Sequence, residues 1–286
     1  MLSFQNDNLM TFLTDEEIRK RCPLAYVNTP TNPNVSEQYV QANTATVIAD
    51  MKKLGWGVVE AKQRKPQKNS RGIFSYHMIC FQNPKIKITK PDENGEEVID
   101  CFPRIILTNS HDGQNAFKFM IGLFRLVCSN GLVIASERFA DIKIRHIHYN
   151  FEELRMLIAK AVEELPNQVA VMNKMKEVAL SNDQKLALAL SMLKIRKDLK
   201  DTDKLNVDET TLEDMLMPIR HEDKGDDLWS VFNVLQEKII KGGFKTAEEG
   251  KKPRKMRRVT SFVKDLDYNQ KMFETALTYL PTQIAA

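Results

Sequence analysis

The pattern of apolar and polar positions divides the chain into a strand-type first half and a helix-type second half. Between Gly55 and Tyr149, apolar residues come in short runs or alternate with polar ones. Trp56 to Lys65 reads as a strand, with Trp56, Val58 and Glu60 facing one way and Val59 and Ala61 the other. Ile73 to Asn83, Lys85 to Thr89, Cys101 to Thr108, Leu132 to Ala135 and Ile142 to His148 read as further strands. Ala116 to Val127 suits strand or helix; Phe117, Phe119 and Ile121 alternate with Lys118 and Met120, which favours strand. Asp92-Glu-Asn-Gly95 and Asn130-Gly131 are turn signals between these runs. The expected product is a largely antiparallel sheet joined by hairpins.

Outside this region the period becomes helical. Thr14 with Glu17 three residues later forms a capping-box pattern, and Ser36 opens a helix over Glu37 to Leu54 that stops at Gly55. After Asn150, helices are expected over Asn150–Leu165, Asn167–Leu180 and Asn182–Leu199, with Pro166 interrupting the first two and Ser181 or Asn182 capping the third. A short helix over Thr211–Met217 and longer ones over Asp227–Lys241 and Lys264–Leu280 follow; Gly242-Gly243 is a strong stop signal. The fold class is α+β: an irregular segment (1–54), a basic antiparallel sheet (55–149) and a helical region (150–286). The last contains an acidic connector (198–227) and a polar, mobile basic loop (244–260). No internal repeat is present.

Composition narrows the class. At 42% hydrophobic and 28% charged residues over 286 positions, the chain is that of a globular protein. No apolar run reaches the roughly 18 residues a membrane helix needs. The first residues lack a signal-peptide layout, so a cytoplasmic protein is expected. Cys22, Cys80, Cys101 and Cys128 form no CxxC pair and have mostly apolar neighbours, which reads as buried free thiols.

Charge changes the picture more. Lys52 to Lys90 holds ten Lys/Arg and one acid, Asp198 to Asp227 four bases and eleven acids, and Lys241 to Lys264 nine bases and two acids. Segregation of this kind speaks of partners rather than of fold. Lys62, Arg64, Lys65, Lys68 and Arg71 lie on and between two expected strands, followed by Phe74, Tyr76 and His77. Cations there supply phosphate contacts, and aromatics, Trp56 included, offer faces for unpaired bases. Lys251, Lys252, Arg254, Lys255, Arg257 and Arg258 form a second cluster. Arg104 and Arg125 sit within apolar strands, where a buried guanidinium needs an acid or a phosphate. The two clusters are expected to converge on one face.

Other constellations carry weaker signals. Asn109-Ser110-His111-Asp112-Gly113 is composed of turn formers, with His111 as a candidate acid, base or ligand. His146 and His148 share a strand face, yet no zinc spacing surrounds them. Walker A, dinucleotide and nucleophile-elbow motifs are absent from the sequence, so no cofactor is expected.

Phe102-Pro-Arg-Ile-Ile-Leu-Thr-Asn-Ser-His-Asp-Gly113, Gly122-Leu-Phe-Arg-Leu-Val-Cys-Ser-Asn-Gly131 and Leu228-Trp-Ser-Val-Phe-Asn-Val-Leu-Gln-Glu-Lys-Ile-Ile-Lys-Gly-Gly243 follow one another in order. Together they resemble the phage/plasmid-like protein family, domain of unknown function 932, over roughly Trp56 to Leu280. The resemblance implies phages, prophages and plasmids as context, and the bacterial cytoplasm or a virion as location; it transfers no catalytic residue. The first expectation is a non-enzymatic nucleic-acid-binding protein of replication or recombination. It would take single-stranded DNA, assemble as a homo-oligomer and not bind membranes. A basic sheet flanked by helices is similar in outline to single-strand annealing proteins, an analogy of fold alone. The alternatives are a protein-interaction module (host-defence inhibitor or virion component) and a metal-dependent nuclease using His111, Asp112, His146 and His148.

Overall fold

The structure, a computed structural model, describes residues 11–27, 43–64, 76–91, 94–110, 117–125, 131–134, 143–144, 151–200, 202–219, 223–246 and 252–281. The fold is α+β, with an antiparallel sheet in the N-terminal half and helices in the C-terminal half. The chain forms two compact units, Met1–Glu164 and Leu165–Ala286.

In the first unit, α1 (Asp15–Arg21) and a 3-10 turn (Pro23–Tyr26) precede α2 (Thr44–Lys53). The expected capping box closes the start of α1, with Thr14 and Glu17 bonded reciprocally. Strands β1 (Gly57–Gln63), β2 (His77–Gln82), β4 (Glu97–Asn109), β5 (Phe117–Arg125) and β6 (Gly131–Ile134) lie side by side in that order. β3 (Ile88–Pro91) also pairs with β4, and β7 (Lys143–Ile144) with β5; every pairing is antiparallel. Helix α3 (Phe151–Glu163) ends the unit.

Pro103 within β4 is explained by this topology. Residues 97–101 of β4 pair with β3, and residues 104–109 pair with β2. Pro103 falls in the gap between the two partners, where no ladder amide is required on that side.

One expectation about β1 needs correction. Val58 pairs with Phe81 and Ala61 with Ile79, with a register shift between Val58 and Glu60. The bulge inserts one residue, so Val58 and Ala61 share a face and Glu60 lies on the other. Strict alternation from Trp56 therefore assigns the later side chains to the wrong side. The bulge lets Val58, Ala61, Ile79, Phe81, Ile105, Leu107 and Phe119 all be buried on one face. α2 covers that face: Val47, Ile48 and Met51 are buried, and Thr44 bonds to His77 at its edge.

The second unit packs α4 (Leu165–Glu177), α5 (Asn182–Arg196), α6 (Glu209–Leu216) and α8 (Phe262–Leu277) against α7 (Leu228–Lys241). α7 is buried on nearly all sides, with Asn233, Gln236 and Glu237 buried beside its apolar residues. Phe232 stacks on Trp229 at 6.0 Å and meets Phe273 edge-on at 5.9 Å. Ser181 caps α5 through a capping box with Gln184, and Asp227 caps α7 by accepting from the Ser230 amide. Pro166 sits in the first turn of α4, where a missing amide costs nothing, so the helix begins at Leu165 rather than after the proline. α5 stops at Arg196, and Asp198 adopts a left-handed φ of 55°.

The basic loop is also corrected in part. Arg254–Lys255 (β9) pairs with Lys245–Thr246 (β8) as a small antiparallel ribbon, so this part of the segment is ordered backbone.

Replacing Phe232 with Ala is expected to cost about 3–5 kcal/mol, because its fully buried ring leaves a cavity between two others. Met156→Ala, at a side chain 63% exposed, is expected to stay within about 0.5 kcal/mol. Urea unfolding curves compare the two.

Candidate functional site

The two basic segments fall in different units. In the sheet unit, Lys62 is on β1 and forms an ion pair with Glu60 at 2.5 Å. Arg104 is half-buried on β4, and its Nε donates to Gln82 Oε1 at 2.7 Å. Burial lowers the Arg104 pKa, while neighbouring Glu60 opposes that shift. Each of these two cations thus has a partner within the sheet. Arg64 is exposed, and its amide donates to the Tyr76 carbonyl, which extends the β1–β2 hairpin by one bond. Tyr76 is half-buried, and Trp56 is 3% exposed, so the Trp56 ring has no open face on which a base could stack. Lys65, Lys68, Arg71 and Phe74 lie outside the described residues. Arg125 ends β5 opposite Cys101.

Asn109 and Ser110 take a structural role. The Asn109 amide donates to Thr44 Oγ1 at 3.0 Å, Thr44 meets His77 Nε2 at 2.9 Å, and Asn109 Oδ1 accepts from the Ser110 amide. All four residues are buried. This network fastens the start of α2 to the ends of β2 and β4. The sequence named His77 only beside the basic segment; its place directly before an apolar strand run was the signal for a buried role. His111, Asp112, Gly113, His146 and His148 lie outside the described residues. Among the described residues, no group of three His, Cys, Asp or Glu side chains is placed to hold a metal ion. No described helix is long and apolar enough to cross a membrane.

Cys22, Cys80 and Cys101 are buried cysteines that form no disulfide. Burial pushes Cys22 up to about 11 and raises Cys80 further, with Glu60 adding to the shift. Both are protonated at neutral pH, which suits packing and not nucleophilic chemistry.

The second basic segment builds a site. An open cleft of about 1040 Å³ is lined by Arg196, Lys197, Lys241, Gly243, Thr246, Arg254, Lys255, Met256, Arg257 and Arg258. Seven of these ten are cations, and none of the lining residues is acidic. Lys251 lies outside the described residues, while Lys252 is exposed at the start of the described strand segment.

Local chain chemistry explains how the cleft forms. α7 ends at Gly242, whose φ of 69° and ψ of −149° belong to a region that side chains avoid. A Cβ there would meet the Met256 carbonyl oxygen at 2.5 Å. The glycine lets the 256–258 strand lie directly on the helix terminus. Gly243 then donates to the Met256 carbonyl at 2.9 Å, Met256 to Phe244 at 2.8 Å, and Val259 to Ile240 at 2.8 Å. From the other wall, Arg196 Nη2 donates to the Arg257 carbonyl at 2.9 Å.

Behind Arg196 stands a charged support. Its guanidinium lies 5.6 Å from the ring of the fully buried Tyr268. The Tyr268 hydroxyl donates to Asp198 at 3.0 Å, and Lys264 Nζ reaches the same carboxylate at 2.7 Å. The Lys264 bond holds the Asp198 carboxyl below its ordinary value, with Tyr268 adding to the effect. The same bond raises Lys264.

Comparison with known proteins places the chain in a family. It belongs to the domain of unknown function (DUF932), whose family model matches residues 33–266. The resemblance read from the three ordered motifs is thereby borne out. The chain is similar to UPF0380 protein YfjQ of Escherichia coli (strain K12), 29% identical over 278 residues, covering 94% of this chain and 93% of the relative. It is also similar to UPF0380 protein YafZ of the same organism, 30% identical over 234 residues, covering 81% and 78%. No solved structure matches the chain.

Gly242→Ala is expected to destabilise the C-terminal unit by about 2 kcal/mol or more, through both backbone strain and the collision with Met256. Gly243→Ala, with open space around its Cβ position, carries the backbone cost alone and is expected to be milder. Thermal unfolding of both variants checks the order. For Asp198 the folded pKa is depressed, so its stabilisation is complete above about pH 5 and disappears as pH falls through the folded value. Asp198→Asn is expected to lower stability at neutral pH and to weaken the acid-induced loss, as read from unfolding midpoints between pH 2 and 7.

Proposed function

We propose that this DUF932 protein binds nucleic acid without an enzymatic step. It takes single-stranded DNA in phage or plasmid replication and recombination, and holds it by the phosphate backbone in the C-terminal basic cleft. One observation carries the reading: of the ten described residues that line the cleft, seven are cations and none is acidic. Part of this charge has a structural reason, since Arg196, Lys197 and Lys241 complement the negative ends of α5 and α7, and Lys241 pairs with Glu237. Arg254, Lys255, Arg257 and Arg258 lie beyond both helix ends and are exposed. Four exposed cations within five residues repel one another unless an anion neutralises them.

The concave shape supports a single strand. Readers of duplex grooves insert a convex helix or ribbon, whereas a groove that tracks the backbone suits a flexible strand. Among the described residues that line the cleft, none is aromatic. Recognition is then phosphate-based and tolerant of sequence, and strand preference comes from shape rather than base stacking.

Fluorescence anisotropy with a labelled single-stranded oligonucleotide at low salt tests the reading. With the four hairpin cations each neutralising one phosphate, the slope of log K against log salt is expected to be about −3. Arg254→Glu with Arg257→Glu is expected to weaken binding by roughly tenfold or more, and a matched duplex to bind less tightly than the single strand. No retention by the wild-type chain at low salt, or an unchanged affinity in the double variant, contradicts the proposal.

A further inference from the structure

The C-terminal unit is electrically polar along two of its helices. α5 and α7 run in the same direction: Asp183 near the start of α5 and Val231 near the start of α7 line one groove, and Arg196 and Lys241 at their far ends line the basic cleft. At 1.5 Å per residue, Asp183 and Arg196 stand about 20 Å apart along the helix axis. The groove at the starting ends has a volume of about 680 Å³. Its apolar lining includes Leu186, Leu216, Val231 and Val234, and the exposed acids Asp183, Glu209 and Glu213 stand around them.

Acids at helix starts and cations at helix ends both complement the helix dipoles, and this accounts for Asp183 and Glu209 within a single copy. It does not account for Glu213, which lies past the first turn of α6. Nor does it account for Met217, which lines the groove and leaves 63% of its surface in water.

We propose that the groove takes the basic arm, residues 252–258, of a second copy of this chain, so that copies add head to tail. The arm has the complementary chemistry: exposed Lys252, Arg254, Lys255 and Arg257 flank a half-buried Met256. Cations meet the acids of the groove, and Met256 meets its apolar lining. The giving and receiving surfaces lie at opposite ends of the same helices. A copy that has given its arm still offers its groove, which makes the contact heterologous and able to repeat. The inference is independent of nucleic-acid binding, although both engage the arm, so an oligonucleotide and a neighbouring groove compete for it.

Sedimentation velocity of the full chain at low salt, without nucleic acid, tests this. The wild type is expected to form species larger than a monomer as concentration rises and to return to monomer at high salt. Glu209→Gln with Glu213→Gln, and separately Arg254→Gln with Arg257→Gln, are each expected to weaken self-association by roughly tenfold or more; circular dichroism checks that both remain folded. An equimolar mixture of the two variants retains one intact groove and one intact arm, and is expected to stop at a one-to-one complex. A wild type that stays monomeric at all concentrations, or a groove variant that associates like the wild type, overturns the proposal. The groove variant is expected to bind single-stranded oligonucleotide at least as tightly as the wild type. That measurement separates failure of head-to-tail docking from failure of the nucleic-acid reading.

Discussion

The basic cleft depends on how the chain leaves helix α7. A glycine at φ 69° turns the backbone where no other residue fits comfortably, and the returning strand lies on the helix terminus through the Gly243–Met256, Met256–Phe244 and Val259–Ile240 hydrogen bonds. Six cations in the eight residues from Lys251 to Arg258 would otherwise be a solvated, repelling loop. Pinned in this way, Arg254, Lys255, Arg257 and Arg258 stand beside Arg196, Lys197 and Lys241 as one wall-to-wall basic surface. The conformational entropy of ordering the strand is met by the backbone bonds and by Val259, which is buried.

The two basic segments look alike in sequence but differ in their described parts. In the sheet unit, Lys62 and Arg104 are matched by Glu60 and Gln82, and Trp56 is buried in the core. In the helical unit, the hairpin cations stand beside other cations. Counts of charge along the sequence weight both segments equally; counts of partners in space favour the second. The acids of the connector complete the contrast. Asp198 supports Arg196 through Tyr268, and Glu209 and Glu213 line a groove at the other end of the same bundle.

Much of the fold was legible from pattern alone. Period-two alternation identified β5 despite Lys118 within it, and signals at Thr14, Ser181 and Gly242 placed three helix ends to within a residue or so. The misreadings have physical causes. The bulge between Val58 and Glu60 has no composition signature, so face assignment failed beyond it. The order in residues 254–259 arises from contacts with α7, and no local propensity in a run of lysines and arginines announces it. The burial of His77, Asn109 and Ser110 likewise depends on Thr44, which lies far away in sequence. The site was legible as a charge cluster, but its second wall, Arg196 and Lys197, was not, because two residues at a helix end are ordinary until the hairpin returns to them.

The most direct test of the central claim is hydrogen exchange of the full chain with and without a saturating single-stranded oligonucleotide at low salt. The account predicts slowed exchange in residues 254–259 and in the last turns of α5 and α7, with the β1–β2 hairpin little changed. Slowed exchange confined to the sheet unit, with the 254–259 segment and both helix ends unaltered, would contradict it.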